Sequence, residues 1–209
     1  MEIAPFHWDN CITACRKSQF CVYKNICIKE DNFYKKHYEK CNKSNQGLRC
    51  DRGAEPLLAS LIRRYHHCLT YGTYSDKKHQ IGVGEYRKGT DKLGVSARQI
   101  PSKLDELIRD YEEDSIDFDA VLDFHVHFEK IHPFDDYNGR VGRIIIVKEC
   151  LRHGIIPFII DDKHRGEYNK GIKCWNTNPT ILREVCLKAQ DRFKRQIEFQ
   201  RLLQRTRNA

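Results

Sequence analysis

The 209-residue chain contains no apolar run near the ~20 residues that a membrane-crossing helix requires; its longest apolar stretches are Ile144–Val147 and Gly154–Ile160. A helical membrane protein is therefore not expected. The opening MEIAPFHWDN carries an early Glu and lacks the basic-then-apolar pattern of a secretory signal, so a cytoplasmic location is expected. No Cys-x-x-Cys pair occurs, although there are 10 cysteines, so the usual mark of a zinc site is missing. Cys11, Cys15, Cys21, Cys27, Cys41 and Cys50 crowd the first quarter of the chain. The lack of a signal peptide argues against disulfides there, and zinc, disulfides and ordinary reduced thiols all stay open. Cys68, Cys150, Cys174 and Cys186 sit among apolar residues and are expected to be buried thiols. Internal repeats and low-complexity tracts are also missing.

What is present suits a globular domain: 40% hydrophobic and 32% charged residues. The formal charge of +8 is spread over Lys35–Lys43, Arg87–Lys92 and Lys188–Arg207, and only the last cluster is interleaved with aromatics. A solvated basic surface that also favours ATP is the expected reading, and nucleic acid is not expected as the principal ligand.

Two regions are expected: a Cys-, Lys- and Asn-rich leader over 1–53, to which no role can be assigned, and a domain over 54–209. Helical spacing of Leu57, Leu58, Leu61, Ile62 and Tyr65 predicts a helix over 55–68. The Gly-punctuated stretch Ile81–Ile100 predicts a hairpin or extended flap. Further helices are predicted over 101–112, from an N-cap at Asp117 to Pro133, over 139–152, over 165–175 and over 181–205. The fold class expected is mainly α with one small β element. In such a helix His125 and His127 point apart and do not share a metal.

Chemistry concentrates in His132–Arg143 (HPFDDYNGRVGR), between the two central helices. Asn138 and Gly139 stand where a loop enters a helix, and the unpartnered N–H groups and positive dipole end there favour phosphate. Gly139 allows close backbone approach, and Asn138 adds a side-chain donor. Arg140 and Arg143 leave the first turn on the same side, and two guanidinium forks suit a polyphosphate. Asp136 offers an oxygen to Mg²⁺, which binds phosphates with few protein ligands. His132 is placed to take a proton from an attacking hydroxyl. The ordinary alternatives are an Asn-Gly turn, a structural His, and an Arg143 that only pairs with Glu149 or Asp135.

This segment resembles the signature of the Fic family, His-Pro-Phe-x-Asp-x-Asn-Gly-Arg-x-x-Arg. Gly84-Glu85-Tyr86-Arg87 resembles the Gly-x-Tyr-Arg that precedes the family's β-hairpin flap. The likeness runs from about Leu57 to Phe199. It implies a Fic-like helical bundle with a small β-hairpin flap, acting as a protein adenylyltransferase that moves AMP from ATP to a Tyr, Thr or Ser hydroxyl. His132 would be the general base, Phe134 the anchor of the loop, and Asp136 the Mg²⁺ ligand. Asn138, Gly139 and Arg140 would surround the α- and β-phosphates, and Arg143 would take the γ-phosphate. The flap, with Leu93, Gly94 and Val95, would dock the target as an added strand.

Two features depart from the pattern. Tyr137 replaces a Gly or Ala, where a small residue leaves space or permits an unusual backbone angle. The family's inhibitory Ser/Thr-x-x-x-Glu-Gly/Asn is incomplete at both Ser102–Leu107 and Thr180–Val185, which leaves two expectations, a separate inhibitory protein as partner or no such control. Transfer of UMP or another phosphate-linked group remains open, as does a degenerate fold that binds a nucleotide or a partner.

Overall fold

The computed structural model describes residues 56–71, 82–89, 94–113 and 115–207. The Cys-rich leader and Leu93 lie outside the described residues. Six α-helices run in order: α1 Ala59–Thr70, α2 Ile100–Glu113, α3 Phe118–Ile131, α4 Asn138–Arg152, α5 Arg165–Cys174 and α6 Thr180–Arg207. Short 3-10 turns at Ala97–Gln99 and Asp162–His164 lead into α2 and α5.

Each helix forms where an apolar stripe recurs at helical spacing. In α1 the stripe is Leu61, Ile62, Tyr65 and Leu69. This helix starts later than its periodicity predicts, because Leu57, fully buried, is delivered to the core before the first turn. In α2 the stripe is Leu104, Ile108 and Tyr111. Asp117 caps α3 as expected: its Oδ1 accepts from the Ala120 N–H at 2.8 Å. Val121, Leu122, Phe124, Val126, Phe128 and Ile131 then bury nearly all of that helix. Gly154, at φ 69, turns the chain away after α4.

The helix α3 packs on both α4 and α2, α1 packs on α4 and α2, and α5 packs on α6. One core joins Leu122, Val126, Ile146, Cys150, Phe158, Leu182 and Cys186. Each such side chain contributes about 1.5–3 kcal/mol through burial, before the entropy of ordering is set against it. Cys150 and Cys186 are buried thiols, as predicted, and burial pushes Cys150 up to about 12. Cys68 and Cys174 are only half-buried, because they lie at the margins of α1 and α5 rather than on their core faces.

The approach of α3 to α4 depends on Gly142. A Cβ there would stand 2.7 Å from His125 Cε1 and 2.9 Å from Glu129 Oε1. The bare backbone lets the two helices close at the end that carries the site.

No strand forms among the described residues. The predicted hairpin is not shown: within 82–89 there is a turn at 83–84 and no regular structure after it, Gly94–Val95 is a bend, and these two segments flanking 90–93 are termed its stems. No described helix is long and apolar enough to cross a membrane.

Candidate active site

The loop from His132 to Tyr137 joins α3 to α4, and both of its ends adopt left-handed backbone conformations. His132 ends α3 at φ 51, ψ 63, and Tyr137 precedes α4 at φ 67, ψ 6. These are the two described non-glycine residues with positive φ. Such geometry costs a residue with a Cβ on the order of 1–2 kcal/mol, so surrounding contacts must hold it. Tyr137 occupies the position where a Gly or Ala was expected, and the unusual backbone angle is indeed present there.

The first contact that holds the loop is internal. Asn138, 3% exposed, accepts from the Phe134 N–H at 2.9 Å through Oδ1 and donates Nδ2–H to the Phe134 carbonyl at 2.8 Å. Its amide thus braces the loop, and one Nδ2–H remains beyond the one given to Phe134. Asp136 Oδ1 accepts from the Tyr137 N–H at 2.6 Å, which tightens the turn further.

The second contact is aromatic. Phe134 is fully buried and stacks on His66, with ring centroids 3.9 Å apart and planes 7° apart. Tyr137, 5% exposed, meets the same imidazole edge-on at 6.4 Å. His66 Nδ1 accepts from the Gly84 N–H at 3.0 Å. Burial drives its pKa down to about 4 against the raising influence of Asp136, so the ring is neutral at pH 7. Sequence reasoning did not single out His66. The available signal was a histidine on the apolar stripe of α1, one turn after Ile62.

The third contact is Arg87, which is 3% exposed. Its Nε–H donates to the His132 carbonyl at 2.7 Å, and its backbone N–H donates to the Pro133 carbonyl at 3.0 Å. Its Nη1–H donates to Gly89 O at 3.0 Å and its Nη2–H to Val95 O. Val95 also donates its N–H to the Ile131 carbonyl at 3.4 Å. Both backbone groups of Val95 thus have a partner within the domain, and its carbonyl oxygen keeps a second lone pair. Gly94 is needed here, since a Cβ would stand 2.6 Å from Arg87 Nη2 and 2.8 Å from His132 Cβ.

The N-terminus of α4 has no side-chain cap. The Arg140 and Val141 N–H groups both reach the Tyr137 carbonyl, at 3.0 and 2.9 Å. This leaves the Asn138 and Gly139 N–H groups without an acceptor among the described residues, at the positive end of a 15-residue helix. The Arg140 guanidinium lies over the Tyr137 ring, 3.6 Å from its centroid. Arg143 makes no ion pair with Asp135 or Glu149 among the described residues. Glu149 instead meets Lys148, Arg152 at 3.5 Å and His153 at 3.3 Å.

Behind the corner, Glu129 is buried beside Arg143, and its Oε1 has no hydrogen-bond partner. Burial raises its carboxyl to about 7, with Arg143 pulling the other way. His125 is fully buried and held down to about 3, first by burial and then by Arg143. It meets the Tyr168 hydroxyl through Nε2. His127 faces outward and pairs with Asp123 at 3.1 Å, so the two histidines do point apart.

His132, Asp135, Asp136, Tyr137, Asn138, Gly139, Arg140 and Arg143 together line one cavity of about 210 Å³. Every predicted nucleotide, metal and catalytic residue is thus brought to one place. Among the described residues no group of three His, Cys, Asp or Glu gathers as a metal cage. A cation that is carried largely by phosphates and water needs only one carboxylate such as Asp136.

The corner thus sets a His and two Arg around an open helix N-terminus in a helical bundle. The pattern of the Fic/DOC family matches residues 56–150, so the chain is similar to that family over this stretch. It is 32% identical over 97 residues to the protein adenylyltransferase Fic of Aedes aegypti, a match covering 42% of this chain and 19% of the relative. The chain thus spans about a fifth of that relative's length. Among solved structures, a Fic-domain signalling protein of Bacteroides thetaiotaomicron superposes with a TM-score of 0.58 at 18% identity, covering 79% of this chain and 69% of that one. Fic-1 of C. elegans gives a TM-score of 0.61 at 19% identity, covering 81% and 51%. At these identities the two structures speak to the fold.

Proposed function

We propose that this domain is a protein adenylyltransferase that binds ATP with Mg²⁺ and moves AMP to a hydroxyl of a target protein. The observation that carries the reading is the single cavity in which His132 shares walls with the α4 N-terminus, Asp136, Arg140 and Arg143. The Asn138 and Gly139 N–H groups and the two guanidinium groups hold the polyphosphate. The donor set at Asp136 fits Mg²⁺, which when bound offsets phosphate charge. His132 takes the proton of the attacking hydroxyl. The hydroxyl oxygen bonds to the α-phosphorus, the bond from that phosphorus to the bridging oxygen breaks, and pyrophosphate leaves. Rate enhancement comes from positioning and fixed positive charge. The target is a Tyr, Thr or Ser side chain docked along the flap that carries Gly94 and Val95. The adenylyltransferase name of the mosquito relative supports the same reading.

Tyr137 favours a second reading, a nucleotide-binding domain that does not transfer, because its ring occupies space beside the phosphate corner. The two separate on labelled ATP. The purified chain is incubated with Mg²⁺, cell lysate and ATP labelled at either the α or the γ phosphate. Protein labelled only from the α position is expected. Label only from the γ position sinks AMP transfer. No transfer from ATP or UTP, with activity appearing in Tyr137→Gly, establishes the binding reading. His132→Ala should lose transfer and keep ATP binding; normal labelling by that variant removes His132 as the base.

A further inference from the structure

We infer that Arg87 is a positioning residue that couples the target-docking flap to the base His132, an inference that rests on the transferase reading above. Arg87 is a buried cation whose contacts among the described residues are with backbone carbonyls, at His132, Gly89, Val95 and, at 3.5 Å, Ile131. Gly89 lies on one stem of the flap and Val95 on the other, so one planar guanidinium fastens both stems. The same group holds the carbonyl of the residue proposed to move the proton. Arg87 Nε–H reaches across 45 positions of sequence to do so.

The chemistry suits a clamp. A guanidinium presents five N–H donors in a fixed plane and cannot give up its charge, and charged donors bind carbonyls more strongly than neutral ones. His132 sits at φ 51, a conformation that an imidazole-bearing residue does not choose unaided. Removing the cation takes this donor from the His132, Gly89 and Val95 carbonyls at once, the first of them on the strained residue. Gly94 completes the joint, since any side chain there drives into Arg87 Nη2 and His132 Cβ. A target strand pairing along the stems thereby bears on the backbone of the base. The Phe134–Asn138 part of the loop is braced separately by Asn138, and the open amides of the proposed phosphate corner belong to α4 rather than to this clamp.

The test uses the full chain, ATP–Mg²⁺ as the ligand and Arg87→Lys as the conservative variant, since a lysine reaches one carbonyl at a time. Backbone and imidazole NMR signals, ATP–Mg²⁺ affinity by calorimetry, and AMP transfer to the proteins labelled by the parent are all read. The expected result has three parts. The His132 and Val95 signals move together while those of 139–143 stay in place. The Kd for ATP–Mg²⁺ stays within about twofold of the parent, and kcat for transfer falls about a hundredfold, the scale expected for a base displaced by about 1 Å. Gly94→Ala, which keeps the charge and crowds the clamp from the flap side, should give the same signature and carries the test if Arg87→Lys does not fold. Unmoved His132 signals in the folded variant overturn the coupling, as does a loss of ATP affinity equal to the loss of rate. If the parent transfers nothing, the transferase reading fails by itself, and the joint movement of His132 and Val95 signals alone decides the clamp.

Discussion

Replacing Tyr137 separates two opposing energies at one position. The residue holds φ 67, so a side chain there costs on the order of 1–2 kcal/mol, which glycine avoids. Against this, the ring is 5% exposed, packs edge-on to His66 and lies 3.6 Å under the Arg140 guanidinium. Truncating a buried aromatic costs about 3–5 kcal/mol, with the low end fitting a ring that borders an open cavity. Burial therefore outweighs strain, and Tyr137→Gly should lose about 2–3 kcal/mol of stability. For a domain of this size that is a fall in Tm of roughly 5–10 °C. Tyr137→Ala loses the same ring but keeps the strained angle, so it should be less stable than Tyr137→Gly by about 0.5–1 kcal/mol after glycine's larger unfolded-state entropy is deducted. That order reverses the usual advantage of alanine over glycine. Urea unfolding of the three proteins, with calorimetric ATP binding alongside, measures both differences. A glycine variant as stable as the parent, or an alanine variant more stable than the glycine one, would refute the reasoning.

Asn138→Ala leaves the Phe134 N–H and carbonyl unpaired in a buried loop; a loss of about 2–3 kcal/mol by urea unfolding is expected, with weaker ATP binding. Gly142→Ala should cost about 1–3 kcal/mol through its clash with His125 and Glu129, whereas Gly139→Ala, whose nearest neighbour is Arg143 Nη1 at 3.3 Å, should keep its stability and lose ATP affinity. Stability should also fall as pH drops from 6.5 to 4.5. Burial keeps His66 and His125 neutral down to about 4 and about 3, while in the unfolded chain both take up protons near 6.5. Glu129 opposes them, since its folded pKa is raised from 4.5 to about 7 and the folded state holds that proton through the same window. The net difference is one proton in favour of the unfolded chain, or about 1.4 kcal/mol per pH unit from these groups. Denaturation midpoints that stay level or rise between pH 6.5 and 4.5 contradict this balance.

The helices and the clustering of His132, Asp136 and Asn138–Arg143 at one corner are legible because both are written locally. Phe124, Phe128 and Ile131 fall on one face at helical spacing, and Asp117 announces the start of α3. The residues that shape the corner were not legible in the same way, because their partners are far along the chain. His66 reads as one more residue of an apolar stripe until Phe134 and Gly84 meet it. Arg87 was noted only as part of a motif, and its contact with His132 cannot be deduced from spacing. Asn138 was assigned to phosphate by its place at a helix end, yet the loop before it has a stronger claim on its amide. The departure at Tyr137 points to either of two demands, space or an unusual backbone angle, and the second is present at φ 67. The contacts of Val95 with Ile131 and Arg87 likewise cannot be deduced from spacing.

The reciprocal bonds between Asn138 and Phe134 also bear on how binding would look in a calorimeter. Ordering a residue of free chain costs about 1–2 kcal/mol, and a loop that closed only around its ligand would show that cost as unfavourable entropy. Here the turn between α3 and α4 already has its shape from folding, so a phosphate ligand has little chain left to order. Binding at this corner should be governed by desolvation and charge, and so respond more to ionic strength than to the temperature at which loops loosen.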